Sequence, residues 1–148
     1  MMAGRLRVIH GDLKVSNIRF CGEEAVALVD LDTMAMGHLQ VELGDAMRSW
    51  CNPSTEDESD PKFDLTLFEA AMRGYARGSA LSPPTTEEWQ SIVPGIERIC
   101  LELSARFAAD ALNECYFGFD QSYGGRGEHN LVRAIGQLGL ARSVCVQS

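Results

Sequence analysis

The chain opens with a short apolar run over residues 5–9. Two more apolar runs, 17–21 and 25–31, stand on either side of the polar triplet Gly22-Glu23-Glu24. Runs this short, bounded by turn residues, predict strands, and the pair around Gly22 predicts a hairpin. Further on the period changes. Val41, Leu43, Ala46, Met47 and Trp50 recur at near-helical spacing, and residues 52–62, acidic and proline-containing, predict an exposed loop. Asp64 is then placed to cap a helix carrying Leu65, Leu67, Phe68, Ala71, Met72 and Tyr75, with Gly78 as its stop. Ser82-Pro83-Pro84-Thr85-Thr86 breaks the pattern. Thr86-Glu87-Glu88-Trp89 opens the next helix with carboxylates in its first turn, and Pro94 allows either a kink or a fresh start for a helix reaching about Asn113. Residues 116–127, aromatic and glycine-rich, predict a loop, and residues 128–144 a closing helix. There is no internal repeat and no low-complexity tract.

Charge narrows the range of partners. A formal net charge of -8 and an isoelectric point near 4.8 argue against nucleic acid or an anionic membrane surface, both of which reward clustered Lys and Arg. The five cysteines, Cys21, Cys51, Cys100, Cys115 and Cys145, show neither a CxxC nor a Cys/His ligand spacing, so neither a disulfide framework nor a zinc site is indicated and a reduced cytoplasm suits them. No stretch approaches the length of a membrane span, and residues 1–7 lack the apolar core of a secretion signal, so a soluble protein is expected.

Between the first apolar run and the hairpin lies His10-Gly11-Asp12-Leu13-Lys14-Val15-Ser16-Asn17, and the second hairpin strand ends in Val29-Asp30-Leu31-Asp32. Asp12 and Asn17 share a polar loop, and two short strands fold Asp30 back beside Asp12. Phosphoryl transfer asks for a carboxylate that orients or deprotonates the acceptor hydroxyl, and for oxygens that hold Mg²⁺ against the phosphates. Asp12 meets the first need. The Asn17 amide oxygen and the Asp30 carboxylate meet the second, because Mg²⁺ takes hard oxygen ligands and keeps several waters. Lys14 is either a point charge near the transferred phosphate or a solvated side chain. Asp32 is an auxiliary metal-binding carboxylate or a turn residue.

The eight residues from His10 to Asn17 meet the protein-kinase signature H-R-D-L-x-x-x-N at every fixed position except Gly11, which replaces Arg, and Asp30-Leu31-Asp32 stands where D-F-G would be. This H-G-D-x-x-x-x-N form with a following Val-Asp resembles the aminoglycoside/choline phosphotransferase family. The resemblance implies an α+β, mainly α fold: a protein-kinase-like C-terminal lobe with a short β-hairpin at the catalytic loop and a helical bundle. It also implies ATP as co-substrate, Mg²⁺, and a small-molecule hydroxyl as acceptor. Val29-Asp30-Leu31-Asp32-Thr33-Met34, Leu43-Gly44-Asp45-Ala46-Met47-Arg48, Asn52-Pro53-Ser54-Thr55-Glu56-Asp57-Glu58 and Gly127-Glu128-His129-Asn130-Leu131 look like the sugar-kinase branch typified by N-acetylhexosamine 1-kinase. An N-acetylhexosamine or related sugar is therefore the expected acceptor, with an aminoglycoside, choline or amino alcohol as alternatives. In this family Asp12 would be the catalytic base, Asn17 and Asp30 the Mg²⁺ ligands, His10 a structural residue, and Asp45 a carboxylate bracing the loop. Arg48 would contact substrate or pair with an acidic neighbour.

Complete members of the family carry an N-terminal nucleotide lobe with a phosphate-covering loop and an adenine hinge. At 148 residues the chain looks like the C-terminal portion of such an enzyme, with the catalytic loop, metal-binding hairpin and following helix in residues 1–50 and a helical subdomain in 64–148. On that reading the N-terminal lobe is absent, and a separate lobe or a second copy is expected to cover apolar surface above the hairpin. A non-catalytic interaction or regulatory fragment is the alternative of another class. The acidic run Glu56, Asp57, Glu58 and Asp60 is expected to be solvated, His38 and His129 to be structural or superficial, and Trp89 and Phe107 to lie in the core.

Overall fold

The computed structural model describes residues 4–54 and 57–147. Strands β1 (Leu6–Ile9), β2 (Ile18–Cys21), β3 (Glu24–Leu28) and β4 (Ala35–His38) precede five helices. These are α1 (Leu39–Trp50), α2 (Leu65–Gly78), α3 (Thr86–Gln90), α4 (Ile92–Asn113) and α5 (Arg126–Gln147). The expected hairpin is present: β2 and β3 pair antiparallel around a turn in which Gly22 has φ +62°, with a register shift between Arg19 and Phe20. The sequence pattern does not predict β4. It pairs antiparallel with β1, Ile9 opposite Ala35 and Leu6 opposite His38, and brings the two ends of the site segment together. Gly37 lies opposite Arg7, where a Cβ would run into the side chain of Ile9, so a larger residue would force Ile9 to repack.

The core is helical. Leu39, Leu43, Ala46 and Met47 form one face of α1 and meet Ile92, Ile96 and Cys100 of α4, with Leu140, Ala141 and Val144 of α5 completing the cluster. The spacings of four, three and one residues are those of a single helical stripe. At the α1–α4 crossing, a Cβ on Gly44 would stand 2.8 Å from the backbone of Gly95. This close approach sets the register of the two helices. Helix α2 has no fully buried residue and lies against the outside of the core through Phe68, Ala71, Met72 and Tyr75. Asp64 caps it, accepting from the Thr66 and Leu67 amides, and the helix ends at Gly78, followed by the cap residue Ser79, whose N–H bonds to the Tyr75 carbonyl. A left-handed glycine is not needed there.

Thr85 and Glu88 make a reciprocal capping box at the start of α3, and Pro94 falls in the first turn of a new helix, α4, instead of kinking an older one. Glu88 does more than cap. Its fully buried carboxylate takes both arms of the Arg7 guanidinium, at 2.9 and 2.8 Å, and so ties β1 to α3. The hydrogen bonds from Arg7 outweigh burial and hold the Glu88 carboxyl down at about 2. Phe107 is buried, and Trp89 is half-buried against the core and meets Tyr75 edge-on. Among the described residues no helix is long and apolar enough to cross a membrane.

Candidate active site

The loop from His10 to Asn17 leaves β1 and is held along its length by α1. The Glu42 carboxylate, in the first turn of α1, accepts from the backbone N–H of His10 and of Gly11, each at 2.9 Å. At the other end of the helix the Trp50 indole donates to the Leu13 carbonyl at 2.8 Å, and the Ser49 hydroxyl accepts from the Val15 amide at 3.3 Å. Thr33 closes the loop from the far side, its hydroxyl donating to the His10 carbonyl at 2.7 Å. Gly11 turns here with φ +82°, and a Cβ would stand 2.7 Å from the Thr33 carbonyl oxygen. The position excludes side chains twice over, by conformation and by space. His10 is buried, and its Nε2–H donates to the Val29 carbonyl at 2.9 Å, which joins the loop to the strand leading to Asp30.

Asp12 projects from the middle of this frame. Its Oδ2 accepts from the Lys14 ammonium at 2.7 Å and from the Asn17 amide nitrogen at 3.1 Å, while Asn17 also donates to the Asp12 carbonyl at 2.8 Å. Two donors on one oxygen fix the carboxylate plane, and the side chain keeps 29% of its surface exposed. Asn17 is itself buried, and its carbonyl accepts from the Val29 amide at 3.0 Å, so Asn17, just before β2, lies next to the segment that carries Asp30, just past β3. Asp30 is exposed, in the left-handed region at φ 64°, ψ 59°, a conformation Asp tolerates better than most residues. Asp32, also exposed, lies in the short 3-10 turn Leu31–Thr33 that follows.

Asp45 lies on the α1 face that looks across to α4, but its carboxylate is turned to Arg48, accepting from Nη2 at 2.9 Å and Nε at 3.2 Å. The carboxylate that braces the loop is Glu42, nearly one turn earlier. Sequence reasoning passes over it because a Glu in a first helical turn already has a reason to be there in the helix dipole. The buried Oδ2 of Asp45 has no hydrogen-bond partner among the described residues.

Asp12, Lys14, Asp45 and Arg48 open onto one cleft of about 880 Å³. Arg98, Glu102, Arg106 and Phe107 of α4 line it further along, and Tyr116, Phe117, Gly118 and Arg133 close its far end. Phe117 packs on Phe107 with ring centroids 4.4 Å apart and meets Tyr116 edge-on at 4.8 Å, while the Arg106 guanidinium lies over both loop rings. Asp57 corrects the reading of a solvated acidic run: its Oδ1 accepts from Arg133 Nε and from His129 Nε2, both at 2.7 Å. Burial pushes its carboxyl up, but those two donors more than offset it and leave it below the ordinary range. Glu56 of the same run lies outside the described residues. His129 is fully buried and structural, accepting from the Asp120 amide through Nδ1 and stacked on Tyr123 at 4.2 Å.

Residues 1–81, more than half of the chain, match the phosphotransferase enzyme family, APH. The chain is also 31% identical over 91 residues to the homoserine kinase of Rhodopseudomonas palustris (strain HaA2). That stretch covers 62% of this chain and 25% of the relative, so the chain spans about a quarter of the curated relative's length.

Proposed function

The chain belongs to the phosphotransferase enzyme family, and we propose that its cleft is where the hydroxyl of a small molecule, an N-acetylhexosamine or related sugar, takes a phosphoryl group from ATP. The observation that carries this reading is the state of Asp12. Lys14 and Asn17 hold one carboxylate oxygen, which leaves the other to meet an acceptor hydroxyl entering from the cleft. As the acceptor oxygen bonds to the γ-phosphorus and ADP departs, the hydroxyl proton passes to Asp12. Lys14 is close enough to shift its charge from Asp12 to the incoming phosphate. The donor set beside it suits Mg²⁺: Asn17 turns its amide nitrogen to Asp12, leaving its hard amide oxygen for the ion, and Asp30 adds an exposed carboxylate just past the end of β3. When bound, the ion neutralises phosphate charge; Asn17 and Asp30 would hold it, with Asp32 as an outer carboxylate.

The aromatic far end supports a sugar. Tyr116 and Phe117 offer apolar ring surface, backed by the buried Phe107, and Glu102 and Arg106 offer hydrogen-bonding edges, the combination that fits a pyranose. The similarity to a homoserine kinase favours a second reading, an amino alcohol, for which the neighbouring charges of Asp45 and Arg48 are suited.

A coupled ADP-release assay of the intact protein against N-acetylhexosamines, homoserine, choline and an aminoglycoside tests both readings. Asp12→Asn is expected to lower kcat on the order of 10² to 10⁴ while ATP binding stays nearly unchanged. Asp30→Ala should abolish Mg²⁺-dependent transfer, and Asp32→Ala should leave measurable turnover. Near-full turnover by Asp12→Asn would remove the assignment.

A further inference from the structure

Asp110 is buried in the last turn of α4, where a carboxylate faces the negative end of the helix dipole and is disfavoured unless donors surround it. Four do. Oδ1 accepts from the Cys115 amide at 3.0 Å and the Tyr116 amide at 2.8 Å; Oδ2 accepts from the Phe117 amide at 2.9 Å and from Asn130 Nδ2 of α5 at 2.9 Å. Burial alone would raise the carboxyl, yet the Phe117, Cys115 and Tyr116 amides, with the charge of Arg126, bring it below its ordinary value. The arrangement exceeds what ending a helix requires, because the Asp110 backbone carbonyl already takes the Glu114 amide at 2.8 Å and Glu114 makes the left-handed turn at φ 52°. The side chain instead collects three successive N–H groups of the loop that follows. One residue later Arg133 Nη1 donates to the Gly118 carbonyl at 2.8 Å, so the segment is pinned from both sides.

The pinned residues, Tyr116, Phe117 and Gly118, line the same cleft as Asp12. We propose that Asp110 is a positioning residue for acceptor binding: it fixes the Tyr116–Phe117 ring pair as a rigid wall against which the ring of a sugar acceptor rests. This rests on the phosphotransferase reading above and adds to it a determinant of acceptor recognition remote from the transferred phosphate.

Asp110→Asn keeps the shape but turns one acceptor into a donor facing N–H groups. In hydrogen–deuterium exchange the amides of Cys115, Tyr116 and Phe117 should exchange at least about tenfold faster. In steady-state assays the acceptor KM should rise about tenfold, while kcat at saturating acceptor and the KM for ATP change by less than about threefold. A role confined to stability would not separate the two KM values in this way. Should Asp110→Asn fail to fold, Asn130→Ala, which withdraws one of the four donors, should move the acceptor KM in the same direction by a smaller factor. An unchanged acceptor KM in a folded variant would overturn the inference, and so would unchanged exchange at the three amides. A parent protein that phosphorylates none of the small alcohols would instead overturn the phosphotransferase reading, and the acceptor role with it.

Discussion

Glu42→Gln is the sharpest test of how the loop from His10 to Asn17 is held. In the native protein each carboxylate oxygen takes one backbone N–H, those of His10 and Gly11, both at 2.9 Å. The amide keeps one acceptor and sets an NH₂ against the other N–H, so one charge-assisted bond is lost and its neighbour is weakened. Hydrogen bonds to a charged group contribute about 1.5 to 3 kcal/mol each, and because Glu42 is only half-buried and water reaches Gly11, a loss of about 2 kcal/mol is expected. With an unfolding entropy of about 2.1 cal/mol/K per residue, that loss lowers the Tm of this 148-residue chain by roughly 6 °C. The rate should suffer more than the stability. Asp12 follows Gly11 directly, and a displacement of about 1 Å at a reacting group costs on the order of 10² in turnover. Thermal unfolding followed by circular dichroism, paired with kcat measured well below the new Tm, separates the two effects. A Glu42→Gln protein with parental Tm and parental kcat would refute the bracing argument, and one that loses stability but not rate would show that the loop keeps its shape without the clamp.

Gly95→Ala should destabilise although alanine is the better helix former, because its methyl would meet the backbone carbonyl of Gln40 at the α1–α4 crossing; overpacking of about 1 to 3 kcal/mol outweighs the gain in propensity of about 1 kcal/mol, and a chemical denaturation midpoint at or above the parent's would contradict this. The Arg7–Glu88 pair gives a pH signature. Glu88 is lowered from 4.5 to about 2 in the folded protein, so its contribution is fully present above pH 4.5 and is lost as the pH falls through 2. The stability difference between the parent and Glu88→Gln should therefore shrink over that window, and a difference that stays constant from pH 6 to pH 2 would refute the assignment.

What the sequence made legible was local. The hairpin could be read because Gly22 and its polar neighbours stand between two apolar runs, and α1 and α4 because their buried positions repeat at helical spacing. Strand β4 escaped notice because Ala35-Met36-Gly37-His38 carries no β-branched or aromatic residue and forms only by pairing with β1, which is distant in sequence. Asp12, Asn17 and Asp30 are singled out by spacing; Asp12 and Asn17 lie on one loop, and Asp30 lies just past the end of β3. The residues that hold them were not found. Glu42, Ser49, Trp50 and Thr33 act through backbone groups, which have no one-letter signature. Asp57 and Asp110 have the polarity of solvated surface residues and are identified only by the donors that converge on them. Glu88 was recognised as a first-turn carboxylate, but its partner, Arg7, stands far earlier in the chain.

The Arg7–Glu88 bond has a consequence for where this protein can be cut. The family match ends at residue 81, yet Ser82 and Pro83, which accept from Arg5 and Arg7, and Glu88 all lie beyond it. A fragment stopped at residue 81 would keep the His10–Asn17 loop and Asp30, but its first strand would have lost those anchors and the apolar face of α1 would lie bare where α4 now covers it. The family match is thus shorter than the stretch that holds the first strand in place, and tandem fusions or split reporters built on this scaffold should place their junctions by the ion pair and not by the edge of that match.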